Sequence, residues 1–169
     1  MRIMNVHERA IPASEAAIGA LIDTLASDPG DRLWPWERWP AQILDRGLTP
    51  GSAGGHGPIR YHVIAHDPGR RVRYAFDRIF GAPVRGHHGF DVVPGDAPGE
   101  STLRHVMLLD VPPRVTLLWR LGVHAMHDAF LEDALDKAER ELTGAVRRPA
   151  RHSAWVRALR RAFRPRRPA

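Results

Sequence analysis

From Ile59 to the C-terminal helix the hydrophobic period of this chain changes once, from two to between three and four, and that change limits the folds open to it. From Ile59 onward apolar and polar side chains alternate: Ile59, Tyr61, Val63 and Ala65 against Arg60, His62 and His66, then Val72, Tyr74 and Phe76 against Arg71, Arg73 and Asp77. A period of two belongs to strands with one buried face. Asp67-Pro68-Gly69 between the two runs is turn chemistry, so they form a hairpin. A Gly/Pro-rich link over 81–86 leads to a strand carrying His88, Phe90 and Val92 on one side. After a turn from Pro94 to Gly99, Leu103, His105, Met107 and Leu109 oppose Thr102, Arg104, Val106 and Leu108. Beyond Pro112-Pro113 the spacing becomes alternately four and three, through Leu117, Leu121, His124, Asp128, Leu131, Leu135, Ala138 and Leu142. That predicts one continuous stripe on a long helix, closed by Gly144.

The residues before Ile59 are less regular. Residues 3–11 alternate, with Ile3, Asn5, His7, Arg9 and Ile11 on one face and Met4, Val6, Glu8 and Ala10 on the other. Neither face is purely apolar, which predicts an edge strand or one beside a polar lining. Ser14 reads as a helix N-cap with Glu15 in the first turn, and Ala17, Ile18, Leu21, Ile22 and Leu25 give the buried stripe of that helix. Ser27-Asp28-Pro29-Gly30 is its predicted stop. Trp34, Trp36 and Trp39 among Pro35 and Pro40 predict an irregular connection packed by indoles, with a pocket rim as the alternative. Residues 49–58, with four glycines around His56, read as a loop, and they lack the phosphate-loop pattern.

Composition excludes several classes. There is no cysteine, so disulfides, thiolate metal sites and a cysteine nucleophile are absent. The N-terminus has no apolar stretch of signal-peptide length, and the run Val115 to Trp119 is far short of the roughly 20 residues of a membrane-spanning helix. The expected location is cytoplasmic, with peripheral attachment at a membrane as the alternative. The net charge of +6 hides an asymmetry: residues 144–169 hold nine arginines and no acid, which leaves a mildly acidic body.

The order of elements, strand, helix, irregular segment, antiparallel strands and one long helix, is similar to that of the SRPBCC group. That group includes START-type lipid-binding domains, polyketide cyclases and dehydrases, and the birch pollen allergen. Three phrases carry the resemblance: Ile11-Pro12-Ala13-Ser14-Glu15, the Asp67-Pro68-Gly69-Arg70-Arg71 turn with its aromatic strand Val72 to Phe76, and the acidic and basic register from Glu132 to Arg140. It covers residues 1–143, so the expected organisation is a ligand-binding domain over 1–143 and a basic amphipathic tail over 144–169. The resemblance implies an α+β helix-grip fold, in which a curved antiparallel sheet wraps the long C-terminal helix and leaves a cavity between them. The group shares a fold and a cavity more than a reaction, so it transfers no catalytic set.

The side chains expected to line that cavity are Tyr61, Tyr74, Phe76, His88, Phe90, His105, Met107, His124 and Asp128. The expected partner is a hydrophobic or amphipathic small molecule, such as a lipid, a polyketide or an aromatic metabolite. Ten histidines in 169 residues is a high number, and several fall on faces predicted to be buried. His124 and Asp128 sit at i and i+4, where a carboxylate raises an imidazole's pKa and fixes its tautomer. His105, His124 and Asp128 therefore either satisfy one another in a filled core, orient a polar group of a ligand, or move a proton. A binding module is the leading expectation, and a cyclase- or dehydrase-like enzyme using His105 or His124 is the alternative. No cofactor and no metal is expected: His124 and His127 stand i, i+3 with Asp128 adjacent, but three convergent ligands would have to come from separate elements. In the tail Trp155, Ala158, Leu159, Ala162 and Phe163 oppose Arg157, Arg160, Arg161 and Arg164, ahead of Pro165 and Arg166-Arg167. Over 147–169 such a segment suits an anionic membrane surface, the acidic body or a protein partner, or else a frayed terminus. Nucleic acid is disfavoured, because no basic face studded with aromatics accompanies it.

Overall fold

A computed structural model describes residues 1–27 and 30–162. The predicted stop at Asp28-Pro29 and the tail from Phe163 to Arg167 therefore lie outside the described residues. The strands are β1 (Arg2–Ile11), β2 (Ile43–Leu44), β3 (Ala53–His56), β4 (Ile59–Asp67), β5 (Arg71–Ile79), β6 (Ala82–Pro83), β7 (Arg85–Pro94) and β8 (Ser101–Asp110). They form one antiparallel sheet in the order β1-β8-β7-β5-β4-β3-β2, with β6 on β5. The helices are α1 (Glu15–Ile22), α2 (Pro113–Leu118), α3 (His124–Thr143) and α4 (Ala154–Ala162), and a π-helical segment, Trp119–Val123, joins α2 to α3.

Register places chemically related side chains in rows across the sheet. His7 faces His105, His105 faces Phe90, and Phe90 faces Val72. One step along, Asn5, Met107, His88, Tyr74 and Val63 make a second row. These rows occupy the concave face, and the helix α3 lies across it with Phe130, Leu131, Leu135 and Ala138 buried. Two irregularities in the β4–β5 pairing, between Arg60 and Tyr61 and between Val63 and Ala65, increase twist where the sheet bends around the helix. At the opposite side α1 packs so close to the β4–β5 turn that a Cβ on Gly19 would lie 1.9 Å from the Gly69 carbonyl oxygen. Ser14 caps α1 by accepting from the Ala17 N–H, as the sequence predicts. The helix ends at Ile22, earlier than the predicted stop, because the Asp23 carboxylate turns to the Gly69 N–H (2.8 Å) and His66 Nε2 (2.9 Å).

Two expectations are corrected. Residues 53–56 are not loop: they form β3 against β4 and β2, and glycines are needed there because a Cβ on Gly54 would meet the Ile43 carbonyl oxygen at 2.0 Å. The stripe of the long helix is not continuous either. Each π turn holds an extra residue and rotates the helical face, so Leu117 and Leu121 are 64% and 62% exposed while Trp119, at 5%, is buried.

The chain leaves α3 through Gly144 in a left-handed conformation (φ 78°), and its N–H returns to the Arg140 carbonyl. The described part of the tail folds back on the body. Val156 joins the core, the Trp155 indole N–H donates to the Leu121 carbonyl at 3.2 Å, and Arg160 pairs with Asp133 at 3.2 Å. Among the described residues no helix is long and apolar enough to cross a membrane.

Candidate functional site

The space between the concave face and the helix has two parts. The inner one, about 30 Å³, lies against β5, β7 and β8 and has the size of a single water molecule. Its walls include Tyr74, Phe76, His88, Phe90, His105 and Met107. The outer one, about 250 Å³, opens to solvent between α3 and the loop joining β3 to β4. Trp39, Pro40, Ile59, Phe80, Met126 and Phe130 form its apolar walls, and the rings of His56 and His127 add polar nitrogen.

Three of the expected residues stand elsewhere. Tyr61 is buried one layer behind the inner space, edge-on to His88 at 4.9 Å between centroids and tilted against Tyr74 at 5.1 Å. His124 projects outward and is half exposed, with Nε2 3.4 Å from Asp128 Oδ2. Asp128 lies at the seam between α3 and β1, where Asn5 Nδ2 donates to it at 3.0 Å. His124 and Asp128 share the regular turns of α3 with the buried Leu131 and Leu135 and stand at the edge of that buried face, and the helical residues that line the inner space are Trp119, Val123, His127 and Phe130. His127 and Phe130 lie beside the narrow stripe that the spacing predicts and not on it, and the glycine neighbours of His56 mask a strand. The inner face of β1, with Asn5 and His7, was visible in the alternation and was not carried into the site.

Burial controls the protonation of the cavity histidines. It pushes His88 and His105 well below their usual range, with neighbouring imidazoles adding to the effect. Burial, with help from His127 and Arg60, takes His56 down to about 3. His127 is also lowered by burial, against the opposing pull of Asp128. All four rings are therefore neutral near pH 7. Gln42 Nε2 donates to the Tyr61 hydroxyl at 2.9 Å, which leaves the phenolic proton for His56 Nδ1, also at 2.9 Å. That relay puts the remaining ring proton of His56 on Nε2. His88 Nδ1 and His105 Nε2 share one proton at 3.4 Å, while His88 Nε2, His105 Nδ1 and the Tyr74 hydroxyl are buried without a protein partner.

A second polar cluster runs along the β1–α3 seam. His7 Nδ1 donates to Glu132 at 2.8 Å and its Nε2 lies 3.2 Å from Asp128. Burial works against a charge on His7, but these carboxylates outweigh it and raise its pKa to about 9. Arg9 binds Glu132, Asp136 and Glu139 at 2.8–3.1 Å. Nitrogen and oxygen atoms of His7, His127 and Asp128 converge within 4.8 Å of one another.

No family model and no curated protein matches the chain. Solved structures do. A protein from Nitrosospira multiformis is 11% identical, with a TM-score of 0.61 over 83% of this chain and 97% of its own. Norcoclaurine synthase from Thalictrum flavum, in complex with dopamine and hydroxybenzaldehyde, is 17% identical, with a TM-score of 0.59 over 83% of this chain and 88% of its own. CalU16 from Micromonospora echinospora is 12% identical, with a TM-score of 0.55 over 96% of this chain and 92% of its own. The chain has the helix-grip fold. At such identities the likeness fixes architecture and leaves activity open. In this helix-grip protein the gap under the helix is divided by a wall that both spaces share. Phe130 stacks on His56 (5.8 Å, 17°) and tilts against Trp34 at 4.5 Å, and His127 continues the wall.

Proposed function

We propose that the protein belongs to the SRPBCC group and binds a small, flat, mostly apolar molecule bearing one hydrogen-bonding group. The observation that carries this reading is the outer cleft: apolar and aromatic walls, with His56 and His127 as its neutral, directional polar contacts. A cavity of about 150 Å³ is enough to hold benzene, so 250 Å³ suits one substituted ring. The complex of norcoclaurine synthase with dopamine and hydroxybenzaldehyde shows that one helix-grip protein takes ligands of this kind. Phe80 supports the reading from the mouth of the cleft, where it holds a left-handed backbone (φ 48°) that a phenylalanine adopts only at a cost. Binding is favoured over acid–base catalysis, because His56 offers an N–H to the cleft and its low pKa makes it a weak base.

Titration of 4-hydroxybenzaldehyde and related one-ring phenols, followed by tryptophan fluorescence, tests this. Saturable quenching is expected, and His56→Phe should weaken affinity by roughly 2- to 12-fold, the value of one hydrogen bond. No saturation with any one-ring phenol or aldehyde at millimolar concentration would overturn the proposal.

One further observation favours a peripheral membrane role for the same protein. Leu117, Leu118, Leu121 and Trp155 are exposed, Trp155 is tied to Leu121 by its indole N–H, and the exposed Arg120 lies in the same segment, so the apolar residues have a basic neighbour. Flotation with phosphatidylserine-containing vesicles should exceed that with phosphatidylcholine alone, and Leu121→Ser with Trp155→Ala should remove the difference. Equal flotation of the unaltered protein with both vesicle types rejects the role.

A further inference from the structure

We propose that His7, His127 and Asp128 form a binding site for a divalent first-row transition metal ion at the seam of β1 and α3, with His127 standing between this site and the cleft discussed above. Sequence spacing argued against a metal because no single element carries three ligands. The fold answers that objection: β1 brings His7 alongside the adjacent helical pair His127 and Asp128.

The donor atoms have the right identity and separation. His7 Nε2 lies 3.2 Å from Asp128 Oδ1, and His127 Nδ1 lies 3.8 Å from the same oxygen. Ligands at about 2.0–2.1 Å from a tetrahedral zinc stand roughly 3.3 Å apart. The two distances to Oδ1 are therefore within about half an ångström of that spacing, and the two imidazole nitrogens, which lie within 4.8 Å of each other, must draw together by ring rotation for the ion to bind. Two imidazoles and one carboxylate suit zinc and its neighbours and do not suit calcium or magnesium.

An independent observation points to a missing partner. His127 Nδ1 is shut off from solvent and has no hydrogen bond, since 3.8 Å to Asp128 is too long for one. Asn5, two residues before His7 on the same face of β1, donates to Asp128 from Nδ2, while its buried Oδ1 is also without a partner. Buried polar atoms in native proteins are nearly always satisfied. A cation at the convergence point satisfies the His127 nitrogen directly and leaves Asn5 to steady the carboxylate.

The surroundings complete the arrangement. His7 Nδ1–H donates to Glu132 at 2.8 Å, which fixes the tautomer that frees Nε2 for a metal. Arg9 holds Glu132 in turn at 3.1 Å. His124 contacts the other oxygen of Asp128 at 3.4 Å, while Oδ1, steadied by Asn5 Nδ2 at 3.0 Å, is the oxygen that faces both imidazoles.

Isothermal titration of zinc chloride into full-length, untagged protein stripped with a chelator provides the test. One ion per chain is expected, with an upward shift in melting temperature. His127→Gln and Asp128→Asn should each abolish stoichiometric binding, and Glu132→Gln should weaken it by about 10- to 100-fold. His66→Gln, at a histidine–aspartate pair on the other side of the molecule, should leave affinity unchanged. X-ray absorption of the unaltered zinc-loaded protein reads the ligands without any variant, and two imidazoles with at least one oxygen are expected. The proposal is overturned by the absence of stoichiometric binding, by binding that survives both His127→Gln and Asp128→Asn, or by an absorption spectrum with fewer than two imidazoles.

Discussion

His56 shows what enclosure does to a titratable side chain in this protein. Trp34, Tyr61 and Phe130 surround its ring at 4.8–5.8 Å, and burial lowers its pKa to about 3. The unfolded chain binds a proton there near pH 6.5. Above that pH both states are neutral, and the full stability is present. As pH falls below 6.5 the unfolded state takes up a proton that the folded state refuses, so stability drops progressively toward pH 3. His88, His105 and His127 are displaced in the same direction. Between about pH 6.5 and 5, before unfolded carboxylates titrate, the melting temperature should therefore fall steeply, each such histidine contributing up to about 1.4 kcal/mol per pH unit. His105→Phe should flatten that slope, and an unchanged slope in scanning calorimetry would show that the ring is already charged inside the protein. Which strand residues reach the cavity was legible at this scale, because a period of two has only two faces: Tyr74, Phe76, His88, Phe90, His105 and Met107 all fell on the concave one. The protonation of those rings was not legible, since it depends on neighbours from other strands.

At the scale of elements, the strand period survives and the helix period does not. Alternation fixes a strand's buried face locally, whereas a helical stripe accumulates error if one turn gains a residue. The π segment at Trp119–Val123 does this, and nothing in Trp119-Arg120-Leu121-Gly122-Val123 announces it. Its consequence is the exchange of Leu117 and Leu121 for Trp119, whereas His127 and Phe130 reach the cavity because the buried face of α3 is broader than the predicted stripe. Leu121→Ser should therefore cost little stability, within about 0.5 kcal/mol, as for a surface site. Trp119→Ala should cost about 3–5 kcal/mol, as in a core. Denaturant melts that reversed this order would return the helix to an unbroken stripe. The α1–β4–β5 contact gives a second check on packing. Gly19→Ala forces backbone apart where a Cβ would sit 1.9 Å from the Gly69 carbonyl oxygen, so a loss of about 1–3 kcal/mol is expected in the same measurement.

For the whole molecule, the described part of the basic tail packs as part of the fold. Asp133 on α3 is buried, and four groups converge on it: the Trp39 indole N–H at 2.8 Å, Arg38 at 3.2 Å, His152 at 3.1 Å and Arg160 at 3.2 Å. Two of the four come from residues after Gly144. Glu139, also buried, is held by Arg9 and by both the backbone N–H and the side chain of Arg147. Arg147 further reaches the Ala10 carbonyl and Glu100, tying the tail to β1 and to the turn before β8. Cutting the chain after Thr143 would leave both carboxylates buried with fewer partners, and hydrogen bonds to charged groups contribute about 1.5–3 kcal/mol each. A chain of residues 1–143 should therefore melt at least roughly 5 °C lower than the full chain, and Asp133→Asn in the full chain should reproduce part of the loss. An equal melting temperature for the two lengths would make the tail an appendage. The distinction also decides how membrane binding must be measured. Deleting the tail removes the arginines and the partners of Asp133 and Glu139 together, whereas Leu121→Ser with Arg120→Gln alters exposed side chains and leaves the contacts to Asp133 and Glu139 in place.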